Sequence, residues 1–171
     1  FCKEYNKAQD LINTYQNDFV LNADDFGLLG LFKSKLGRYQ EGLLDFNQSL
    51  ELDPNNKYSL VNRGYTHLIM GNYQMAIDDF NTAVEMKVEL AYAYCNRGLA
   101  RIKMGDEKNG LDDINRSLKL DSSNSYAYRN LGIYYFDKLD FERARLLFKR
   151  AYELDGDTHL IREYIQKTDT E

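Results

Sequence analysis

A chain of 171 residues, 43% of them hydrophobic, is long enough to bury a core as one compact or elongated domain, and no second domain is required. Its 22 basic and 27 acidic side chains leave a net charge of -5, which excludes the basic stripe needed to track a phosphate backbone, so nucleic acid is not expected as a partner. Two cysteines, Cys2 and Cys95, are too few and too far apart for a disulfide framework or a multi-cysteine zinc site, and no apolar run approaches the roughly 18 residues of a membrane span.

The chain begins with Phe1 and not with methionine, which reads as a processed or excised piece. A signal peptide, an anchor or further repeats upstream stay open, as does a secreted or lipid-anchored origin given Cys2. A soluble chain is expected, with the cytoplasm as the favoured compartment.

The elements are ordered by a period of 34 residues. Gly30, Gly64, Gly98 and Gly132 keep that step, as do Phe46, Phe80, Ile114 and Phe148. Two columns of small residues follow it as well: Gly42, Ala76, Gly110 and Ala144, then Ser49, Ala83, Ser117 and Ala151. Along the chain the period predicts a half repeat over 1–22, with Tyr5, Ala8, Ile12 and Tyr15 placed as in the second helix of a preceding unit. Full units follow at 23–56, 57–90, 91–124 and 125–158, and a closing helix lies within 159–171.

Each unit reads as two helices. In the second, Leu60, Val61, Tyr65, Leu68 and Ile69 fall at helical spacing before Gly71, and Tyr73, Ala76, Ile77, Phe80 and Val84 do so after it. Gly37, Gly71 and Gly105 share one position, where a left-handed residue ends the first helix; in the fourth unit that place holds Leu139, so a different turn is expected there. Asn72, Asp106 and Asp140 suit the start of the second helix, and Pro54 stops the second helix of the first unit. Leu160, Ile161, Tyr164 and Ile165 share a face that would cover the last unit, with Thr168 to Glu171 expected to fray.

An aromatic, a Leu-Gly, a Tyr, an Ala, a Phe and a second Ala recurring in this register resemble the tetratricopeptide repeat. The second unit carries the pattern through Gly64, Gly71, Tyr73, Ala76, Phe80 and Ala83, the fourth through Tyr128, Leu131, Gly132, Tyr135, Phe141, Ala144, Phe148 and Ala151. Tryptophan is absent, with Phe26, Leu60, Tyr94 and Tyr128 in its place, and proline is kept once. The resemblance implies an all-α, right-handed solenoid of antiparallel helix pairs, and a protein-interaction scaffold or adaptor rather than an enzyme, holding an extended peptide or a partner segment in a concave groove.

In such repeats the first helix of each unit lines the groove. Here its second position reads Asp24, Tyr58, Tyr92, Tyr126 and its sixth reads Leu28, Asn62, Asn96, Asn130. Tyrosine and asparagine four apart share a helix face, and together they offer a flat amphipathic surface beside amides able to pair with an extended backbone. Tyr65, Leu99 and Ile133 add apolar area, and Arg129 stands beside Asn130. The co-chaperone version of the groove, which grips an acidic tail with lysines, is not expected, since Gly27, Tyr92 and Asn96 occupy the basic positions. An accessory or regulatory segment of a larger enzyme or secretion machine, and an inhibitor or immunity-type protein that plugs one partner, are the alternatives. Self-association stays open.

Arg63 and Arg97 replace the usual leucine at the seventh position, while Asp45, Asp79 and Asp113 recur in the second helices; the fourth unit has Leu131 and Leu147 in both places. Charge and apolarity swap together, which predicts a structural ladder Asp45, Arg63, Asp79, Arg97, Asp113 between successive units, setting register more than adding stability. The carboxylate neighbours Asp78–Asp79 and Asp112–Asp113 diverge on a helix and cannot act as a converging pair. His67 and His159 stand alone in sequence, so no metal site, cofactor or catalytic residue is assigned.

Overall fold

The computed structural model describes residues 20–86 and 90–170, and these contain nine helices and no strand. They are α1 (Ala23–Lys35), α2 (Tyr39–Leu52), α3 (Lys57–Ile69), α4 (Tyr73–Glu85), α5 (Ala91–Lys103), α6 (Glu107–Leu120), α7 (Ser125–Asp137), α8 (Phe141–Leu154) and α9 (Ile161–Thr170). Helices pair as α1 with α2, α3 with α4, α5 with α6 and α7 with α8, and α9 packs on α8. The fold is an all-α solenoid of helix pairs. The expected half repeat, residues 20–22 apart, lies outside the described residues.

Each first helix ends on a left-handed residue. Gly37, Gly71 and Gly105 have φ of 78°, 79° and 90°, and the next amide reaches back to the carbonyl of Lys33, His67 or Arg101 at 2.9 to 3.0 Å. The same turn closes α7, where Leu139 takes φ 62° and Asp140 N donates to Tyr135 O at 2.9 Å. The expectation of a different turn is therefore corrected: the tertiary demand for this reversal overrides a backbone penalty on the order of 1 kcal/mol. Because Leu139 is 74% exposed it gains little burial in exchange. Leu139→Gly should raise stability by about 1 kcal/mol and the melting midpoint by about 2–4 °C, measurable by thermal denaturation.

Capping falls on asparagines that the turn glycines overshadow in sequence. Asn22, Asn56 and Asn124 accept the first amides of α1, α3 and α7 through their side chains, whereas of Asn72, Asp106 and Asp140 only Asp140 does so. At the other ends, Asp53, Asp121 and Asp155 leave the helix in extended conformation and accept the amide two residues on at 2.9 to 3.0 Å. Pro54 punctuates one such aspartate turn; the turn itself does the stopping.

Glycine columns set the helix spacing. A Cβ on Gly98 would stand 2.5 Å from Gly110 O, and one on Gly132 would stand 2.4 Å from Phe148 Cε1. Against this close approach Phe46, Phe80, Ile114 and Phe148 are completely buried, each contributing about 1.5–3 kcal/mol of burial. The far end is sealed by Tyr164, whose ring stacks on Phe148 at 4.9 Å. Thr168, expected to fray, is instead fully buried, its hydroxyl donating to Ile165 O at 2.8 Å while Arg145 donates to its carbonyl at 2.6 Å.

The charged residues form forks. Arg63 bonds Asp79 through Nε and Nη2 at 2.9 and 2.6 Å, and Arg97 bonds Asp113 in the same way at 2.8 and 2.7 Å. Both forks join the two helices of one unit. Between units neither of these arginines meets a carboxylate among the described residues: Arg63 Nη1 donates to Asn47 and Arg97 Nη1 to Asn81, each at 2.8 Å, while Asp45 pairs with Lys33 at 2.6 Å. The expected continuous ladder is thus corrected to separate bidentate pairs linked by amides, which take one further guanidinium donor without crowding two carboxylates together.

His67 lies beside the first fork with Nδ1 buried and without a hydrogen-bond partner among the described residues. Burial lowers its pKa below the ordinary histidine range, with Asp79 opposing and Arg63 adding to the effect; burial and then Arg129 lower that of His159, against Glu163. Both groups bind fewer protons folded than unfolded, so stability is full above the unfolded pKa of about 6.5 and falls as pH drops through it. The urea midpoint should decline between pH 7.5 and 5.5, and a His67→Gln, His159→Gln variant should flatten that slope.

Candidate functional site

Three tyrosines from successive units converge on one face. Tyr65 of α3 lies 5.7 Å from Tyr92 of α5 and 5.8 Å from Tyr126 of α7, and the last two rings meet edge to face at 4.8 Å. The second unit thus reaches the fourth across the third, which only a curved stack permits. His159 closes the group, its ring 6.2 Å from Tyr65.

Arg129 of α7 lies behind these rings and is only 3% exposed. Its guanidinium carbon stands 4.9 Å from the centre of the Tyr126 ring and 5.9 Å from that of Tyr65. Nε and Nη2 donate to Asn130 Oδ1 at 3.1 and 2.8 Å, and Nη1 donates to Tyr65 Oη at 3.1 Å and to His159 O at 3.5 Å. Burial raises the phenol pKa values of Tyr65 and Tyr92, with Arg129 opposing, so both hydroxyls stay protonated donors at neutral pH.

In front of the tyrosines lies a cavity of about 320 Å³. Asn62, Thr66 and Ile69 of α3 form one wall, and Leu31, Ser34 and Lys35 of α1 with Tyr39 of α2 form the other. Asp157 and His159 stand at the rim. A second cavity, of about 380 Å³, adjoins it between α1 and α3, lined by Leu28, Leu31, Tyr58 and Asn62 among others.

Family models described as tetratricopeptide repeat match residues 26–56, 46–78 and 95–157. The chain belongs to the tetratricopeptide repeat family. The architecture of this tetratricopeptide repeat chain is that of a protein-interaction scaffold. No curated protein matches it in sequence. Among solved structures, a thermophilic tetratricopeptide repeat protein of Thermus thermophilus superposes with a TM-score of 0.76 at 19% identity, covering 86% of this chain and 81% of that one. MamA of Desulfovibrio magneticus RS-1, residues 41 to the end, gives 0.62 at 23% identity, covering 81% and 78%. YrrB, described as a tetratricopeptide repeat protein with an unusual peptide-binding site, gives 0.60 at 18% identity over 95% of this chain and 81% of that one.

Within this frame the proposed groove residues divide. Tyr58 is 64% exposed with Lys57 over its ring at 5.0 Å, and Asn62 faces both cavities. Tyr65, Tyr92 and Tyr126 form the floor. Asn96 and Asn130 are fully buried: Asn130 donates to Cys95 O and Asn96 Oδ1 at 2.9 and 3.2 Å, and Asn96 donates to Tyr92 O at 3.0 Å. Their assignment to ligand contact is corrected, because their amides are committed to the stack. Leu99 and Ile133 are likewise closed into the core at 5% and 6% exposure. Cys95 lies beneath the floor, its thiol pushed up to about 12 by burial and so unreactive as a nucleophile.

The walls were not visible in sequence. Ser34, Lys35 and Tyr39 flank the turn of the first unit, and Asp157 with His159 follow the last; only the curvature of the stack brings them to one cavity. Among the described residues no group of three or more His, Cys, Asp or Glu is placed to hold a metal, and no helix is long and apolar enough to cross a membrane.

Proposed function

We propose that this chain is an adaptor that holds an extended peptide or partner segment against the Tyr65, Tyr92 and Tyr126 floor, running past Asn62 toward Tyr58. The observation that carries the reading is the cavity itself: ring faces from three units form its floor, and a half-buried amide at one wall can pair with a passing backbone. The floor is rigid, since its rings already pack on one another and on Arg129, so a ligand would meet a preformed surface.

Affinity capture with the wild-type chain, followed by titration of the captured partner, tests this. Tyr58→Ala with Asn62→Ala removes two groups from the ligand side while leaving the buried floor in place, and should weaken binding about tenfold or more with an unchanged melting midpoint. A partner bound equally by both proteins would overturn the reading.

A further inference from the structure

Arg129 carries a full positive charge almost wholly out of water, and among the described residues none of its hydrogen-bond acceptors is anionic. Burying an unneutralised charge is costly unless something compensates. Here an amide oxygen, a backbone carbonyl, a phenol and two ring faces share it. Because guanidinium is only a donor, Tyr65 Oη must accept from Nη1, and its own proton turns away from the arginine toward the Tyr126 hydroxyl, so that the two hydroxyls together keep one proton to offer a ligand. Tyr65 lines the cavity, and Tyr126, which packs on the same guanidinium, lines it too.

We infer that the cavity is a carboxylate site, in which the Tyr65–Tyr126 hydroxyl pair donates to an acidic group of the bound partner while Arg129, from behind the rings, supplies the charge without touching the ligand. The inference rests on the groove reading above and names the chemistry of its deepest point. Charge matching selects the class. Lys35 and Asp157 on the cavity border offset each other, leaving the single charge of Arg129, which a carboxylate neutralises and a dianionic phosphate would exceed. Ser34 and Asn62 supply further neutral donors on the walls, whereas Thr66 donates its proton to Asn62 O and Ser34 Oγ.

Three five-residue peptides test the inference by titration into the full chain, read from the tyrosine ring resonances: one with an internal glutamate and an amidated end, its glutamine isostere also amidated, and that glutamine peptide with a free terminal carboxylate. At least one carboxylate peptide should shift the Tyr65 and Tyr126 rings and bind about tenfold more tightly than the neutral isostere, and which of the two does so identifies a side-chain or a terminal source. Tyr65→Phe should remove that advantage. Should that variant lose its cooperative melt, Tyr126→Phe, which keeps the ring over Arg129, serves in its place. A neutral peptide binding as well as the charged ones would overturn the carboxylate assignment and leave the groove standing. Rings unmoved by all three would overturn both.

Discussion

Gly98→Ala should destabilise the chain by about 2 kcal/mol or more, lowering the melting midpoint by about 4–8 °C, even though alanine is the better helix former by about 1 kcal/mol. The reason is what the added methyl meets. At 2.5 Å from Gly110 O and 2.7 Å from Ile114 Cγ1, it strikes backbone that cannot rotate aside, so α5 and α6 must move apart along their whole contact. Gly64→Ala is the control. There the nearest atoms are Phe80 Cε1 at 3.0 Å and Asp79 Cβ at 3.1 Å, a milder crowding that the gain in helix propensity largely offsets, and a change within about 1 kcal/mol is expected. Equal melting midpoints for the two variants would show that glycine does not set the interhelical distance.

Asp113→Ala should cost about 3 kcal/mol, the largest loss among the charged residues. Asp113 receives Arg97 through two bonds and Arg101 through a third at 2.6 Å, with side-chain exposures of 8% for the aspartate and 11% and 24% for the arginines. Removing it leaves two guanidinium groups facing one another in a half-dry space, which costs more than the intact pair contributes. The fourth unit shows the alternative, with Leu131 and Leu147 in the equivalent places. Arg97→Leu with Asp113→Leu should therefore recover most of the stability lost in the single variant, as a urea titration would show. A double variant no more stable than Asp113→Ala would mean that the leucine pair depends on features peculiar to the fourth unit.

The architecture was legible because it is written in columns. Four glycines and four large apolar residues at one spacing determine where helices touch, and that contact is local to each unit. The charged columns were legible as residue types but not as partners: Arg63 and Asp45 alternate in sequence, yet only the fork geometry of a guanidinium decides that Asp79 takes the bidentate bond and Asn47 the remaining donor. The candidate site was the least legible. Asn62, Asn96 and Asn130 occupy one sequence position, yet Asn130 is drawn inward by Arg129 and Asn96, while Asn62 faces open cavities. The curvature that brings Lys35, Tyr65 and His159 together is a sum over units, which no single unit encodes.

The column Ser49, Ala83, Ser117, Ala151, buried throughout, has a consequence for how such a chain can evolve. At the first seam Ser49 and Ser59 share a hydrogen bond of 2.6 Å, whereas the second seam places Ala83 and Ala93 in the matching positions; Ser117 instead accepts from Asn124 of its own unit at 2.9 Å. The first junction is thus keyed to its neighbour by polarity and the second by apolar contact. A gene that exchanged the second and third units would set the Ser49 hydroxyl against the methyl of Ala93 and lose a buried bond worth about 1 kcal/mol at that join. The first seam therefore favours the second unit over the third as its neighbour, a bias on repeat order that the shared helix-packing columns do not carry.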